Sequence, residues 1–132
     1  MPSGGLLAVS SVTSSIAAAI ERAQASGVLD HILVTREDGL PIAHNLSDVK
    51  QARRLAAMAA AIVGTGELAA KDLGCGTLRG ASMDAEAGLL VCMRAGPQAI
   101  VAGLASPDAN VGLLLLVIRK LTESVDTAIG DS

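Results

Sequence analysis

At the start of the chain, apolar and polar residues recur with the period of a helix. The residues that follow have the pattern of extended strands. Between residues 16 and 23, apolar side chains return at helical spacing behind a segment rich in Ser and Thr, and Gly27 can end that helix. Two β-prone runs, 28–35 and 40–46, flank an Asp38-Gly39 pair, which favours a tight two-residue hairpin turn. We therefore predict one helix followed by an antiparallel strand pair.

The longest predicted helix follows, from Val49 to about Leu73. Ser47-Asp48 can cap its start, and Gly74 can end it. Three short strands follow, at 76–84, 88–95 and 99–105. A last helix starts after Ser106-Pro107-Asp108, and its apolar residues recur at helical spacing at Val111, Leu114, Leu115, Ile118, Leu121 and Val125. This order predicts an α+β fold with a five-stranded antiparallel sheet flanked by helices.

The domain organisation follows from the length of the chain. Its 132 residues fit one domain spanning 1–132, with a core of about 10–128 and flexible termini at 1–9 and 129–132.

The first strand is apolar on both sides, which predicts helices on both faces of the sheet. Pro41 lacks a backbone donor, so its strand should lie at a sheet edge or carry a bulge.

Composition excludes several classes of function. Apolar residues make up 51% of the chain, yet Phe, Tyr and Trp are absent, so the platforms on which bases stack are missing. A net charge of -3 gives no basic footprint for nucleic acid. No apolar run reaches the ~18 residues of a membrane span and no secretory signal is recognisable, so we expect a cytoplasmic protein. Cys75 and Cys92 fit a reducing compartment, and we predict both to be small core residues.

Candidate catalytic groups are few. The glycine-rich segment 74–80 follows a helix and enters a strand, whereas a phosphate loop opens a helix, so we interpret it as a helix stop. His31 and His44 should lie diagonally on one face of the hairpin, but a metal needs three or four ligands. Cys92 has no local motif that would make it a nucleophile. We predict no catalytic, metal-binding or cofactor-binding residues and no cofactor.

The long predicted helix carries two small-residue faces. One stripe should cover the sheet, at Ala52, Leu55, Ala59, Ile62, Val63, Gly66, Ala70 and Leu73. The opposite side would be polar if it faced water, yet it carries Ala57, Ala60, Ala61, Gly64 and Leu68, bordered by Lys50, Arg53, Arg54 and Lys71. Small side chains let another helix approach closely, which favours an interface. The alternative is that Ala, a strong helix former, simply fills exposed positions.

These features resemble the roadblock family, the superfamily of dynein light chains and of bacterial and archaeal regulators of Ras-like GTPases. The resemblance spans most of the chain and rests on the strand-turn-strand 27–43, the Ala-rich helix 55–70, the strand opening 73–76 and the segment 110–114. It implies a roadblock-like, profilin-like sandwich that dimerises through the second helix and the third strand, so that two sheets join into one. Dimer-interface candidates on that strand are Thr77, Arg79 and Ala81.

The resemblance also implies a partner. In prokaryotic members of the family, the surface bearing the paired second helices receives a small GTPase, and some members accelerate hydrolysis by reshaping its switch regions without donating a catalytic residue. Carried over to this sequence, the interface candidates on the second helix are Arg53, Arg54, Ala57, Ala60, Ala61, Gly64, Leu68 and Lys71. The expected partners are a second copy of the chain, or a related roadblock chain, and a small Ras-like GTPase.

Two other functions remain open at this level. Domains with an antiparallel sheet and flanking helices often hold a small ligand, so a ligand sensor is the main alternative, although the absence of aromatic residues weighs against it. An enzyme that uses Cys92 or the histidine pair is the third possibility.

Overall fold

A computed structural model of the chain describes residues 2–130, and side chains from residue 11 to residue 130. Its elements are α1 (Pro2–Ala25), β1 (His31–Arg36), β2 (Pro41–His44), α2 (Val49–Asp72), β3 (Gly80–Ala85), β4 (Gly88–Ala95), β5 (Ala99–Ala105) and α3 (Val111–Gly130). The predicted order of helices and strands and the α+β fold class are confirmed. No helix within residues 2–130 combines the length and apolarity needed to cross a bilayer.

The five strands form one antiparallel sheet in the order β2-β1-β5-β4-β3. Strand β2 lies at one edge, as Pro41 predicted, and the register with β1 shifts between Val34 and Thr35, where Thr35 faces Pro41. Strand β3 lies at the other edge and pairs only with β4 among the described residues. A strand at an edge leaves a row of backbone donors and acceptors without partners in the sheet.

Helices cover both faces of the sheet, as the apolar pattern of the first strand predicted. Helices α1 and α3 pack on one face, where Ile32 and Val34 point, and α2 packs on the other, where Leu33 points. Successive side chains of a strand face opposite sides, so a strand buried on both faces carries an unbroken apolar run. Both cores are built from aliphatic residues and alanine, with Cys92 added on the α2 side.

Several element boundaries differ from the predicted ones. Helix α1 begins at Pro2, before the predicted start near residue 10, and β1 begins at His31 instead of Val28. Val28 and Leu29 are buried in the core under α1 and α3 without belonging to a strand. Their assignment to a strand is wrong, because an apolar run alone does not distinguish a strand from a buried connection.

The connection between β1 and β2 has the length that the predicted runs left for it, but it is not a two-residue turn at Asp38-Gly39. Four residues separate the strands, and the Arg36 and Gly39 backbone N–H groups donate to Leu40 O and Arg36 O, each at 2.9 Å. Gly39 adopts a φ of +90°, which L side chains rarely adopt, and a Cβ there would lie 3.2 Å from Ala57 Cα. The turn therefore rests directly on α2, and a glycine is needed at the contact.

The buried stripes of α2 and α3 are narrower than predicted. The buried residues of α2 are Ala52, Ala56, Ala59 and Val63, whereas Leu73 caps the helix and is 76% exposed. In α3 the predicted Leu114, Ile118, Leu121 and Val125 are buried, but Val111 and Leu115 are exposed. A helix that rests on a flat sheet covers only a strip of its circumference, so residues on the margins of each stripe stay accessible.

The two cysteines lie in different environments. Cys92 is fully buried beneath α2, as predicted. The prediction that Cys75 is also a core residue is wrong, because Cys75 is exposed in the loop after α2. Gly74 and Gly76 on either side of it have φ values of +70° and +82°, and the chain leaves the packed layers at that point.

Candidate functional site

The predicted interface residues of α2 lie on its outer side. Arg53, Arg54, Ala57, Ala61, Leu68 and Lys71 are exposed, and Ala60 and Gly64 are half-buried. A Cβ added to Gly64 would meet no atom within 4 Å. Packing within one described chain therefore does not require a glycine at position 64, whereas Ala60 packs partly against the core beneath α2 and Ala57 contacts the hairpin turn.

The C-terminal half of α2 is tied to the sheet by an ion pair. Arg94 on β4 donates from Nε to Glu67 Oε2 at 2.7 Å and from Nη2 to Glu67 Oε1 at 2.9 Å. These hydrogen bonds, together with the charge of Arg94, hold the pKa of Glu67 below its ordinary value despite some desolvation. The same hydrogen bonding raises the pKa of Arg94. A bidentate contact of this kind fixes the orientation of α2 over β4.

Strand β3 presents two of its side chains on the same face as α2. Ala81 faces Cys92 and Met83 faces Leu90, and both partners belong to the core on the α2 side. Met83 is 50% exposed. The predicted strand residues Thr77 and Arg79 lie before β3, which begins at Gly80, so their placement in a strand is wrong.

One of the residues just before β3 contacts α2. Leu78 packs against Gly66 of α2, where an added Cβ would come within 2.9 Å of Leu78 Cδ2. Leu78 thus contacts α2 before the ladder with β4 begins at Gly80.

An exposed apolar group that sequence reasoning missed lies beside α2. A groove of about 280 Å³ runs along the helix, lined mainly by Leu46, Leu55, Met58, Leu90 and Leu104. Met58 is 53% exposed. The sequence could have indicated this group, because Met58 lies on the side of α2 opposite its buried stripe. A helix whose outer side faces only water would carry polar residues there.

We name the combined region the α2–β3 surface. It consists of the outer flank of α2, the side chains Met58 and Met83, and the open edge of β3. Its apolar groups are large at Met58, Met83 and Leu68 and small at Ala57, Ala61 and Gly64. Exposed apolar side chains and an unpaired strand edge are each typical of a protein–protein contact.

The residues considered for catalysis are poorly disposed for it. Burial raises the pKa of the Cys92 thiol to about 11, which disfavours the thiolate that a nucleophile requires. His44 faces Leu33 in the register, so His31 lies diagonal to it, as predicted. The His44 Nδ1 atom accepts a hydrogen bond from the Leu46 backbone at 3.1 Å. Among the described residues, no three His, Cys, Asp or Glu side chains are grouped for a metal ion.

The glycine-rich segment after α2 ends the helix, as interpreted from the sequence. The backbone N–H of Gly74 donates to Lys71 O at 3.2 Å, and that of Cys75 donates to Ala70 O at 2.8 Å. These bonds satisfy carbonyl groups that the helix end would otherwise leave free.

Comparisons with known proteins agree with this architecture. A sequence model described as the Roadblock/LC7 domain matches residues 16–105. The uncharacterized protein MJ1340 of Methanocaldococcus jannaschii is 31% identical over 93 residues, which cover 70% of this chain and 81% of the relative. The chain belongs to the Roadblock/LC7 domain family.

Solved structures extend the likeness of this Roadblock/LC7 protein to the fold. Myxococcus xanthus MglB superposes with a TM-score of 0.82 at 16% identity, covering 90% of this chain and 90% of that chain. Acanthamoeba castellanii profilin II gives a TM-score of 0.58 at 16% identity, covering 79% of this chain and 90% of that chain. The roadblock-like, profilin-like sandwich predicted from the sequence is confirmed.

The family match includes the candidate surface. Residues 16–105 run from within α1 to the end of β5 and so contain α2 and β3 entire. Helix α3 lies outside the matched range.

Proposed function

We propose that this Roadblock/LC7 protein is a non-catalytic homodimeric interaction module of the cytoplasm that binds a small Ras-like GTPase and regulates or scaffolds it. The observation that carries the proposal is the α2–β3 surface, where exposed apolar residues adjoin an unpaired strand edge. The resemblance to the prokaryotic roadblock proteins supplies the class of partner.

Self-association is the first part of the proposal. Pairing of two β3 strands would satisfy the open edge and would bring Met83 of each protomer beside its partner, on the same side as the two α2 helices. Ala81 adjoins this contact on the same strand. Met58 and Met83 are each about half exposed, so burying the remainder stabilises the assembly by about 1 kcal/mol for each, roughly half the value for a fully exposed side chain.

GTPase binding is the second part. Two α2 helices side by side would form a platform of small residues at Ala57, Ala60, Ala61 and Gly64, with Leu68 as an apolar contact and Arg53, Arg54 and Lys71 at the rim. Small residues permit close approach of a partner, and rim cations favour an acidic one. The module would act by holding the switch regions of the GTPase in one conformation, because a ligand that prefers one conformation shifts the population toward it.

A capture experiment tests GTPase binding. A small Ras-like GTPase from the same genome is immobilised in its GDP form and in a form loaded with a GTP analogue, and binding of this protein is measured by interferometry. We expect binding to at least one form and its loss in Gly64→Arg, because a long charged side chain would hold the partner away from α2. Unchanged capture by Gly64→Arg contradicts the proposed platform.

The matched control is Gly112→Arg. Gly112 lies near the start of α3, on the opposite side of the sheet, and a Cβ there meets only the Asn110 side chain at 3.4 Å. This variant carries the same added charge and bulk and should bind the GTPase as the unmodified protein does. Circular dichroism of both variants verifies that the fold is retained.

A further inference from the structure

A second groove lies between the β1–β2 hairpin and the first turns of α2. We call it the hairpin groove. It has a volume of about 720 Å³, and the residues that matter for its chemistry are Arg36, Leu40, Ile42, His44, Val49 and Arg53.

The shape of the hairpin groove follows from how the hairpin is seated. Gly39 places the turn against Ala57, and the chain then passes along β2 before it returns as α2 at Val49. Strand β2, which lines the groove with Pro41, Ile42 and His44, is an edge strand of the sheet. The buried Ala52 lines it on the helix side.

Two aliphatic side chains stand exposed in this groove. Leu40 is 55% exposed and Val49 is 57% exposed. Neither belongs to the two cores of the described residues. An apolar side chain of a partner could therefore remove both from water at once.

Both charged side chains that line the groove are arginines. Arg36 uses Nη2 for an ion pair with Asp38 Oδ2 at 3.1 Å, while Arg53 makes no ion pair with any residue between 11 and 130. His44 Nδ1 accepts the Leu46 N–H, so the proton of the neutral ring lies on Nε2. No acidic side chain is among the residues that line this groove.

Helix α2 adds to the positive character of the site. Its N-terminus begins at Val49 beside the groove, and the first N–H groups of a helix carry a partial positive charge. Asp48 compensates part of this charge, since its carboxylate accepts the Lys50 N–H at 2.9 Å. The groove thus combines two aliphatic contacts with cationic donors, which is complementary to a chain that carries both aliphatic and carboxylate groups.

We infer that the hairpin groove binds a short acidic segment of a partner protein, with aliphatic side chains against Leu40 and Val49 and carboxylates facing Arg36 and Arg53. A guanidinium favours a carboxylate partner because its fork of N–H groups matches the two oxygens. This site is separate from the GTPase platform proposed above and does not require a GTPase to be bound there. Arg53 lies at the boundary of both, so Arg36 is the residue that distinguishes them.

A peptide titration tests the inference. The full-length protein labelled with nitrogen-15 is titrated with a synthetic peptide of about eight residues that alternates Leu and Glu, long enough to span ~26 Å when extended. We expect amide shifts centred on Arg36, Leu40 and Val49, and an affinity at least about tenfold higher than for the matched peptide of Leu and Lys. Added salt should weaken binding of the acidic peptide, because exposed charges are screened.

Variants separate this site from the rest of the molecule. Arg36→Glu should reverse the preference between the two peptides and leave GTPase capture unchanged, whereas Gly64→Arg should leave peptide binding unchanged. The control is Arg22→Glu on α1, on the opposite face of the sheet, which should alter neither measurement.

Three results would overturn the inference. One is the absence of shifts at the groove with the acidic peptide at about 1 mM, where even weak binding is visible. The second is equal affinity for the acidic and the basic peptide. The third is the same pattern of shifts with inorganic phosphate at equal concentration, which would make the groove a general anion site.

Discussion

Glu67 and Arg94 form a charged contact that reaches from α2 to the sheet. Their two hydrogen bonds, at 2.7 and 2.9 Å, have bidentate geometry, and both side chains are about one-third exposed or less. An ion pair with fixed geometry contributes more than a mobile surface pair, although water still screens it. The hydrogen bonds from Arg94 lower the pKa of Glu67, so this contact makes stability depend on pH.

The Glu67→Gln variant tests that dependence. The folded state holds the Glu67 pKa below the ordinary value of 4.5, so the pair stabilises the protein above that value and loses its contribution as pH falls through the folded pKa. We expect urea denaturation to show a loss of about 0.5–1.5 kcal/mol at pH 7, allowing for solvent screening. The difference should shrink toward zero in acid, below the folded pKa.

The control is Glu21→Gln, which removes an exposed carboxylate of α1 that makes no ion pair with residues 11–130. Its effect on stability should be small at neutral pH. An equal loss at pH 7 in both variants would mean that the contact between Glu67 and Arg94 contributes nothing specific.

Helix α2 is the element on which both proposed surfaces depend, and it is positioned at several points along its length. The hairpin turn rests on it at Ala57, Leu78 packs against Gly66, and Arg94 binds Glu67. Its buried alanines let it lie close to the sheet. A helix held at both halves presents its outer flank in a defined position, which a binding platform requires.

Gly39→Ala tests the hairpin contact. A φ of +90° is unfavourable for alanine, and the new Cβ would press on Ala57 Cα at 3.2 Å, so the turn or the helix must shift. We expect a loss of about 1–3 kcal/mol in the free energy of unfolding, measured by urea denaturation at a fixed protein concentration.

Gly112→Ala is the matched control, because Gly112 has no positive φ and its added Cβ meets only a side-chain atom at 3.4 Å. Alanine should be neutral there or raise stability by up to about 1 kcal/mol, since it favours helix more than glycine does. If Gly39→Ala proved as harmless as Gly112→Ala, the turn would not be docked on α2 as described.

At the scale of the whole molecule, the two edges of the sheet differ. Strand β2 is short and begins with Pro41, which cannot donate to a further strand, whereas β3 carries no proline. Strand β3 itself carries the exposed Met83, and α2 packs against it. This difference favours pairing with a second chain at the β3 edge. At the β2 side, the hairpin groove is available to a short segment of a partner protein.

Met83→Glu tests the proposed dimer. In the proposed dimer Met83 lies beside the partner, so a carboxylate there would be buried next to the other chain without a cation to pair with. We expect the mass from sedimentation equilibrium to fall from two chains to one at micromolar concentration. Far-ultraviolet circular dichroism should be unchanged, because Met83 is half exposed within a single chain.

Leu116→Glu on α3 gives the comparison. Leu116 is 51% exposed against 50% for Met83, so the two substitutions place the same charge at equally accessible positions on opposite faces. The mass of Leu116→Glu should remain that of two chains. A dimer that survives Met83→Glu but not Leu116→Glu would move the interface to the α3 face.

The sequence by itself determined the layered fold. The apolar run 32–34 required cover on both faces of the sheet, and the structure provides α1 and α3 on one side and α2 on the other. Pro41 placed its strand at an edge, and glycine after α2 ended that helix. Each of these features depends on local stereochemistry or on the spacing of apolar residues along one element. Both can be read from a short segment of the sequence.

Only the tertiary structure decided which apolar residues remain in water. The placement of Thr77 and Arg79 before β3, the exposure of Cys75 and Leu73, and the grouping of Met58 with Leu90 depend on contacts between segments far apart in the chain. The hairpin groove likewise combines residues of the turn, β2 and α2. Periodicity predicts which side of an element is apolar, but what covers that side is set by the packing of the other elements.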